Sequence, residues 1–515
     1  MFYNYTFYKN LLKVYSFSDN FAFLISLTVV VVAFNAMVLS LISFKYITKP
    51  LLITIFIISS FVAYFMDSYN VIIDSEMIRN SMQTNLRESL ELFNYKLLLY
   101  FVFLGLVPSY IIFKTDIEYK SIKKELIIKA KVVSLTLAII LINLLIFSKY
   151  YTSFIREHKE LRYRLNPIHW IYSVNKYISS FTKDKQVLKP IGLDATIIEE
   201  EKEDIKHNEL VIFVLGETAR ADHFSLNGYN KETNPLLKKE GVLSLKNLTS
   251  CGTSTAYSVP CIFSIYNRTN YSYKKAKWTY NVLDILNNTK KVKILWRDNN
   301  SDSKGVALRV DYEDFKTPKK NKICIDGECR DEGMLIGLDE YIKKNKGKDI
   351  LIVLHQMGSH GPAYYKRYPK SFEKFKPVCK TNQLEKCSKE EIINAYDNTI
   401  LYTDYFLSKV IEFLKKYNNQ NYETAMIYVS DHGESLGENG VYLHGLPYFM
   451  APAEQTKVPA IIWLGDKIKK DVNITQVKQD IDKKLSHDSI FHTLLGAFEV
   501  NTSVYNKDLN LLKEE

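Results

Sequence analysis

Hydrophobic and polar positions divide this chain into two unlike parts. In the first third, four charge-free apolar runs follow one another: Phe21–Phe44, Pro50–Met66, Leu97–Phe113 and Val132–Ser148. Each is long enough to cross a hydrocarbon core of about 30 Å, which takes roughly 17–25 helical residues. A buried core helix would explain one such run, but not four in succession. Further on, the apolar runs shorten to strand length and alternate with helical stretches: Leu210–Leu215, Val292–Trp296, Asp349–Leu354, Thr424–Val429 and Pro459–Leu464. That alternation predicts an α/β domain with a mainly parallel sheet. Between the two parts, Lys149–Asp184 mixes Phe154, Trp170, Tyr172, Tyr177 and Phe181 with Arg and Lys, which suits helices lying on a membrane face. An acidic linker, Glu199–Asp204, follows. The expected organisation is an α-helical membrane domain over 1–148, bridging interfacial helices and linker over 149–205, and a C-terminal α/β domain over 206–515.

Loop charge orients the spans. The link after the first run carries Lys45 and Lys49 without an acid, and the link after the third is basic around Lys120, Lys123, Lys124, Lys129 and Lys131. The link after the second run is acidic (Asp67, Asp74, Glu76, Glu88, Glu91). The large C-terminal part is therefore expected outside the cytoplasm, and so is the N-terminus. All six cysteines lie in that exported part as the close couples 251/261, 324/329 and 379/387. An even count confined there fits an oxidising compartment and three local bridges. The composition (47% hydrophobic, 24% charged, net charge +11) averages two different halves. Without interleaved aromatic and basic positions, the excess charge reads as solvation and affinity for anionic lipid, not as a nucleic-acid surface. No span carries an ionisable residue, which disfavours a transporter.

The acidic link reads as a helix. Asn80, Thr84 and Glu88, spaced by four, would share one face, with Ile78, Met82, Leu86 and Leu90 on another. The apolar stripe is expected on lipid or protein, the polar stripe toward the exported domain, with Glu88 suited to hold an amine-bearing head group.

In the exported part, the candidate chemistry follows the strands. Leu210–Leu215 runs into Gly216-Glu217-Thr218, Asp349–Leu354 into His355 to Gly361, Thr424–Val429 into Ser430 to Glu434, and Val292–Trp296 into Arg297, Asp298 and on to Lys304. Open α/β sheets bind ligands at such strand ends. Glu217, Asp431 and His432 make a mixed carboxylate and imidazole set of the kind that holds catalytic zinc with one position open. A metal there would activate a hydroxyl as nucleophile near neutral pH. The run Ser250 to Cys261 supplies Thr253, Ser254 and Thr255 between two cysteines, and spacing does not choose among them. His360 and His444, each in a Gly-punctuated loop, suit second-metal ligands or proton donors. His487 and His492 read as core or supporting residues; His158, His169, His207 and His223, near charged or linker segments, read as structural.

These residues resemble the lipid A phosphoethanolamine transferases, including the mobile colistin-resistance enzymes, within the alkaline phosphatase/sulfatase superfamily. The resemblance rests on Gly216–His223, Ser250–Cys261, Trp296–Lys304, His355–Pro362, and Ser430–Gly440 with His444. It implies Thr255 as nucleophile beside the zinc ligands Glu217, Asp431 and His432. It further implies His360, His444 and Lys304 near the substrate phosphate or a second zinc, Asn80, Thr84 and Glu88 as head-group positions, and the three cysteine couples as disulfides. The implied cofactor is Zn²⁺, one ion bound tightly with room for another. The implied partners are phosphatidylethanolamine as donor and lipid A or another envelope acceptor, in the inner membrane of a Gram-negative cell with the catalytic domain in the periplasm. A phosphoglycerol transferase or a hydrolase of the same superfamily is the nearest rival, and an envelope receptor the non-enzymatic one. The family usually shows five spans against the four counted here, and Met1–Asn20 resembles the loop that follows the family's first span.

Overall fold

The computed structural model describes residues 2–84, 86–182, 187–197, 207–325, 327–418, 420 and 422–512. The expected linker Glu199–Asp204, the boundary at 206 and the side chains of Leu86 and Arg87 lie outside that description. The chain forms two compact units, Met1–Ile78 with Phe93–Phe181, and Arg79–Leu92 with Thr182–Glu515.

In the first unit, Phe17–Ile42, Thr48–Tyr69 and Tyr95–Lys114 are helices long and apolar enough to span a membrane. The fourth apolar run forms the latter part of helix Ile122–Ile146, which bends by 94° into Ser148–Arg156. The third span contains a π-helical stretch, Phe101–Leu106. Pro108 has no N–H to give the carbonyl four residues back, and the Tyr3 hydroxyl donates to that Leu104 oxygen at 2.6 Å instead. Residues 2–20 are mostly helical and do not form a loop. Tyr5–Val14 is a helix, and its Phe7 and Leu11 pack with Phe23, Leu24, Leu27, Tyr151 and Phe154. Apolar side chains at 7 and 11, one turn apart, form the buried stripe of a surface helix. Beyond the bend, the segment continues as helices Lys159–Arg162 and Ile168–Thr182.

The second unit is built on an eight-stranded sheet. Its strands are β1 (Asn208–Gly216), β2 (Leu243–Thr249), β3 (Val292–Asp298), β4 (Asp311–Asp314), β5 (Asp349–His355), β6 (Tyr422–Ser430), β7 (Lys457–Leu464) and β8 (Leu485–Ser486). The spatial order is β8-β2-β7-β6-β1-β5-β3-β4. Five of the seven pairings are parallel; only β7 runs against its two neighbours. Along β1, Val211, Phe213 and Leu215 enter one hydrophobic core, and Leu210, Ile212 and Val214 enter the other. Side chains alternate across a strand, so a sheet covered on both faces demands an unbroken apolar run. Helix Lys389–Asn418 covers one face; Thr255–Ile262, Val282–Asn288 and Asp488–Gly496 cover the other.

Register then aligns the strand ends. Gly216 pairs with Ser430, Leu215 with His355 and Asp298 with His355. Because β7 is antiparallel, its first residue Lys457 pairs with Thr249, the last residue of β2. The loop that begins at Ser250 therefore leaves from the same sheet edge as Glu217 and Asp431.

Candidate active site

The hydroxyl run is pinned by the disulfide Cys251–Cys261, and the couples 324/329 and 379/387 are also bridged. After extended Ser254, helix Thr255–Ile262 begins. Thr253 turns away, donating its hydroxyl to the Leu446 carbonyl at 2.7 Å. Thr255 turns inward: its Oγ1 lies 3.1 Å from Glu217 Oε2 and 3.3 Å from His432 Nε2. Glu217, Asp431 and His432 are buried and grouped closely enough to share one cation.

Local hydrogen bonds fix each donor. His432 Nδ1 is 2.9 Å from the Gly433 carbonyl, which can only accept, so Nδ1 carries the proton and Nε2 offers a lone pair. That Nε2 sits 3.4 Å from Glu217 Oε1 and 3.4 Å from Asp431 Oδ2. The amides of Thr218 and His432 donate to Asp431 Oδ1 at 3.2 and 2.7 Å. Asp431 Oδ2 is buried without a hydrogen-bond partner. Asn300 Nδ2 donates to Glu217 Oε2 at 2.7 Å. Burial, and then the neighbouring Asp431, push Glu217 well above the ordinary carboxylate range; burial also raises Asp431. Burial and the nearby His444 drive His432 well below the usual imidazole value. Two buried carboxylates with a neutral imidazole lone pair and an orphaned oxygen fit a divalent cation, and the mixed N/O set suits zinc.

The second histidine shell lies beside this group. The His444 ring is centred 4.3 Å from that of His432 and 5.9 Å from that of His360. Burial disfavours the charged form of His444, but Glu434 at 2.8 Å from Nδ1, together with Asp431 and Glu88, more than offsets it and raises its pKa. His432, Glu434 and His444 form another potential ligand group. His360 is held well below its usual pKa by burial and by Arg367. Gly358, in the loop that carries His360, has φ +51, and a Cβ there would stand 2.8 Å from the Glu217 carbonyl oxygen, so only glycine fits. The buried Lys304 also has positive φ, and its Nζ reaches the Gln83 carbonyl at 3.3 Å.

The link segment departs from its expected form. Helix Ser75–Gln83 stops, and a separate helix spans Leu86–Glu91. Thr84, just past the end of the first helix, donates its hydroxyl to the Asn80 carbonyl at 2.7 Å. Asn80 and Thr84 therefore do not share a continuous face with Glu88. Met82 and Leu90 are largely exposed, while Glu88 is buried and its charge bears on both Glu217 and His444. His223 also departs from its expected surroundings: it is buried, 2.6 Å from Asp397. His487 is a core residue, bridging the Cys251 amide and the Ser430 carbonyl.

A family profile described as phosphoethanolamine transferase EptA/EptB matches residues 31–181, and one described as sulfatase matches 209–500. Phosphatidylethanolamine transferase Mcr-2 of Escherichia coli is 45% identical over 96% of this chain and 92% of its own length. The chain belongs to the EptA/Mcr phosphoethanolamine transferase family. Phosphoethanolamine transferase EptA of E. coli K12 is 38% identical over 99% of this chain and 94% of its own. The solved structure of the integral membrane EptA of Neisseria meningitidis superposes with a TM-score of 0.94 at 32% identity, covering 99% of this chain and 95% of that one. This is a multi-pass membrane protein with a periplasmic catalytic domain of sulfatase-like fold.

Sequence reasoning left Asn300 and Glu434 without roles although both lie inside the motifs it singled out. It had no signal at all for Arg367, whose main chain sits outside every motif.

Proposed function

We propose that this enzyme transfers phosphoethanolamine from phosphatidylethanolamine to lipid A or another envelope acceptor through a covalent phosphothreonine at Thr255. The observation that carries this reading is the Thr255 hydroxyl at a helix start, 3.1 Å from Glu217 and 3.3 Å from His432. The Thr255 oxygen attacks the donor phosphorus. The O–P bond to threonine forms, the P–O bond to the glyceryl oxygen breaks, and diacylglycerol leaves with a proton. An acceptor phosphate oxygen then attacks the same phosphorus and releases the threonine oxygen.

Glu217, Asp431 and His432 would hold zinc, which when bound lowers the pKa of a neighbouring hydroxyl and offsets charge on the phosphoryl oxygens. Helix N-terminal amides at Thr255 favour the same anion. His360 and His444 stand where a proton can reach the leaving oxygen, with Lys304 as a counter-charge for the phosphate. Asn80, Thr84 and Glu88 receive the donor's head group, Glu88 facing its ammonium. Domains over 1–148, 149–205 and 206–515 would place this chemistry at the outer face of the inner membrane. The product masks an anionic phosphate behind a cationic amine and weakens the binding of cationic peptides such as polymyxins. Mass spectrometry of lipid A from cells with and without the protein tests this: an added phosphoethanolamine is expected, and its absence at normal expression overturns the acceptor assignment.

A further inference from the structure

Arg367 joins three parts of the catalytic unit that sequence keeps far apart. Its guanidinium is 1% exposed. Nη1 and Nη2 both engage the carboxylate of Glu91. Nη1 also donates to Glu328 Oε2 at 2.8 Å, and Nε donates to the His360 carbonyl at 2.7 Å. Two of these partners are tied to disulfide loops. Glu328 lies in the hairpin closed by Cys324–Cys329, and Asn382, inside the Cys379–Cys387 loop, donates to the Glu91 carbonyl. Glu91 closes helix Leu86–Glu91 and stands three residues after Glu88, close enough on a helix for one position to set the other. The charge of Glu88 bears on Glu217 and His444 as well as on Arg367. A planar fork with fixed donors can serve two carboxylates and a carbonyl at once, which an ammonium on a flexible stem cannot reproduce.

We propose that Arg367 is a positioning residue that sets the Glu88-bearing helix and His360 in a single frame, with Glu91 as its anchor. Its consequence is that amine recognition and placement of His360 fail together when the guanidinium is lost, and separately when only Glu91 is lost. The inference rests on the phosphatidylethanolamine reading for the amine half alone. A clamp serving only folding would lower all activities in step with the folded fraction.

The test uses the full-length enzyme in lipid–detergent micelles, with two substrates: phosphatidylethanolamine, and a soluble chromogenic phosphodiester that lacks an amine. Melting temperature is recorded for each variant. Glu91→Gln should raise KM for phosphatidylethanolamine by about tenfold while moving the soluble diester several times less, the signature of lost uniform binding. Arg367→Lys should do the same and also lower kcat on both substrates by about tenfold, because His360 loses its hold. Equal proportional losses on both substrates for Glu91→Gln, or wild-type kinetics in Arg367→Lys, would overturn the proposal. Wild-type enzyme that cleaves the soluble diester but not phosphatidylethanolamine would instead overturn the donor reading. In that case the kcat of Arg367→Lys on the diester still decides the His360 half.

Discussion

His223 and His432 both sit in the catalytic unit against buried carboxylates, yet only the first of their clusters closes on itself. Asp397 takes His223 Nδ1 at 2.6 Å on one oxygen, and Lys231 at 2.7 Å and the Tyr229 hydroxyl at 3.0 Å on the other. Its charge is answered inside the protein. Around His432 two carboxylates, Glu217 and Asp431, converge with amide and hydroxyl donors, and Asp431 Oδ2 stays buried without a hydrogen-bond partner. A buried anion is tolerated only when paired, hydrogen-bonded or metal-bound. Residue type is therefore a poor guide to which cluster is functional. Charge balance is a good one.

Exchanging parts of the two clusters separates them. The largest effect is expected at Thr255, where Thr255→Ala should reduce transfer by about 10^4-fold, as loss of a covalent nucleophile can. Thr253→Ala, whose hydroxyl points to Leu446, should cost far less, and comparable losses in a labelled-lipid assay would break the distinction. Chelation should abolish activity and lower the melting temperature, since an ion that binds only the folded state stabilises it. Zinc should restore both best, and full recovery with magnesium alone would contradict a mixed N/O site. The closed cluster should behave oppositely. Asp397→Asn leaves half-buried Lys231 without its counter-charge and weakens the buried His223 contact, so stability should fall by about 1–3 kcal/mol with little change in activity per folded molecule or in metal content. Glu88→Gln should reduce phosphatidylethanolamine turnover by about tenfold, roughly 1.4 kcal/mol, and a wild-type rate at subsaturating lipid would remove Glu88 from head-group binding.

The smallest effect concerns a half-buried carboxylate in neither cluster, Glu332. Glu332 takes a hydrogen bond from the Tyr402 hydroxyl, and burial pushes its pKa up to about 7. A folded value above the unfolded one favours folding at low pH, and that contribution is lost as pH rises through about 7. Glu332→Gln should therefore flatten the decline of melting temperature between about pH 4.5 and 7. An unchanged slope would show that this carboxylate ionises freely.

How far the sequence carried depends on what buries each segment. Strands β1, β3, β5, β6 and β7 are apolar on both faces, so their runs stood out. The short, polar β4 at one edge and the two-residue β8 at the other have only one neighbour each and left no such run. The strand-end motifs contain the side chains that gather around Thr255, but the order of the strands and the reversal of β7, which bring Thr255 to Glu217, are long-range choices. The helix end at Gln83 is followed by neither proline nor glycine, so no breaker residue marked it in the sequence. The Arg367 contacts to Glu91 and Glu328 span 276 and 39 residues, beyond any local pattern.

The stretch Arg79–Leu92 belongs to the catalytic unit although membrane helices flank it on both sides in the chain. The enzyme is therefore not separable by a single cut. A soluble fragment starting after the bridging helices carries Thr255, the ligand set and the histidines, but leaves the Arg367 guanidinium facing water where Glu91 should be, and omits Glu88 altogether. Inhibitors selected on such a fragment would be fitted to a cleft missing one wall. For drug discovery the relevant target is the intact polypeptide, and compounds that bridge Glu88 and the Thr255 pocket are invisible to screens that leave the membrane part behind.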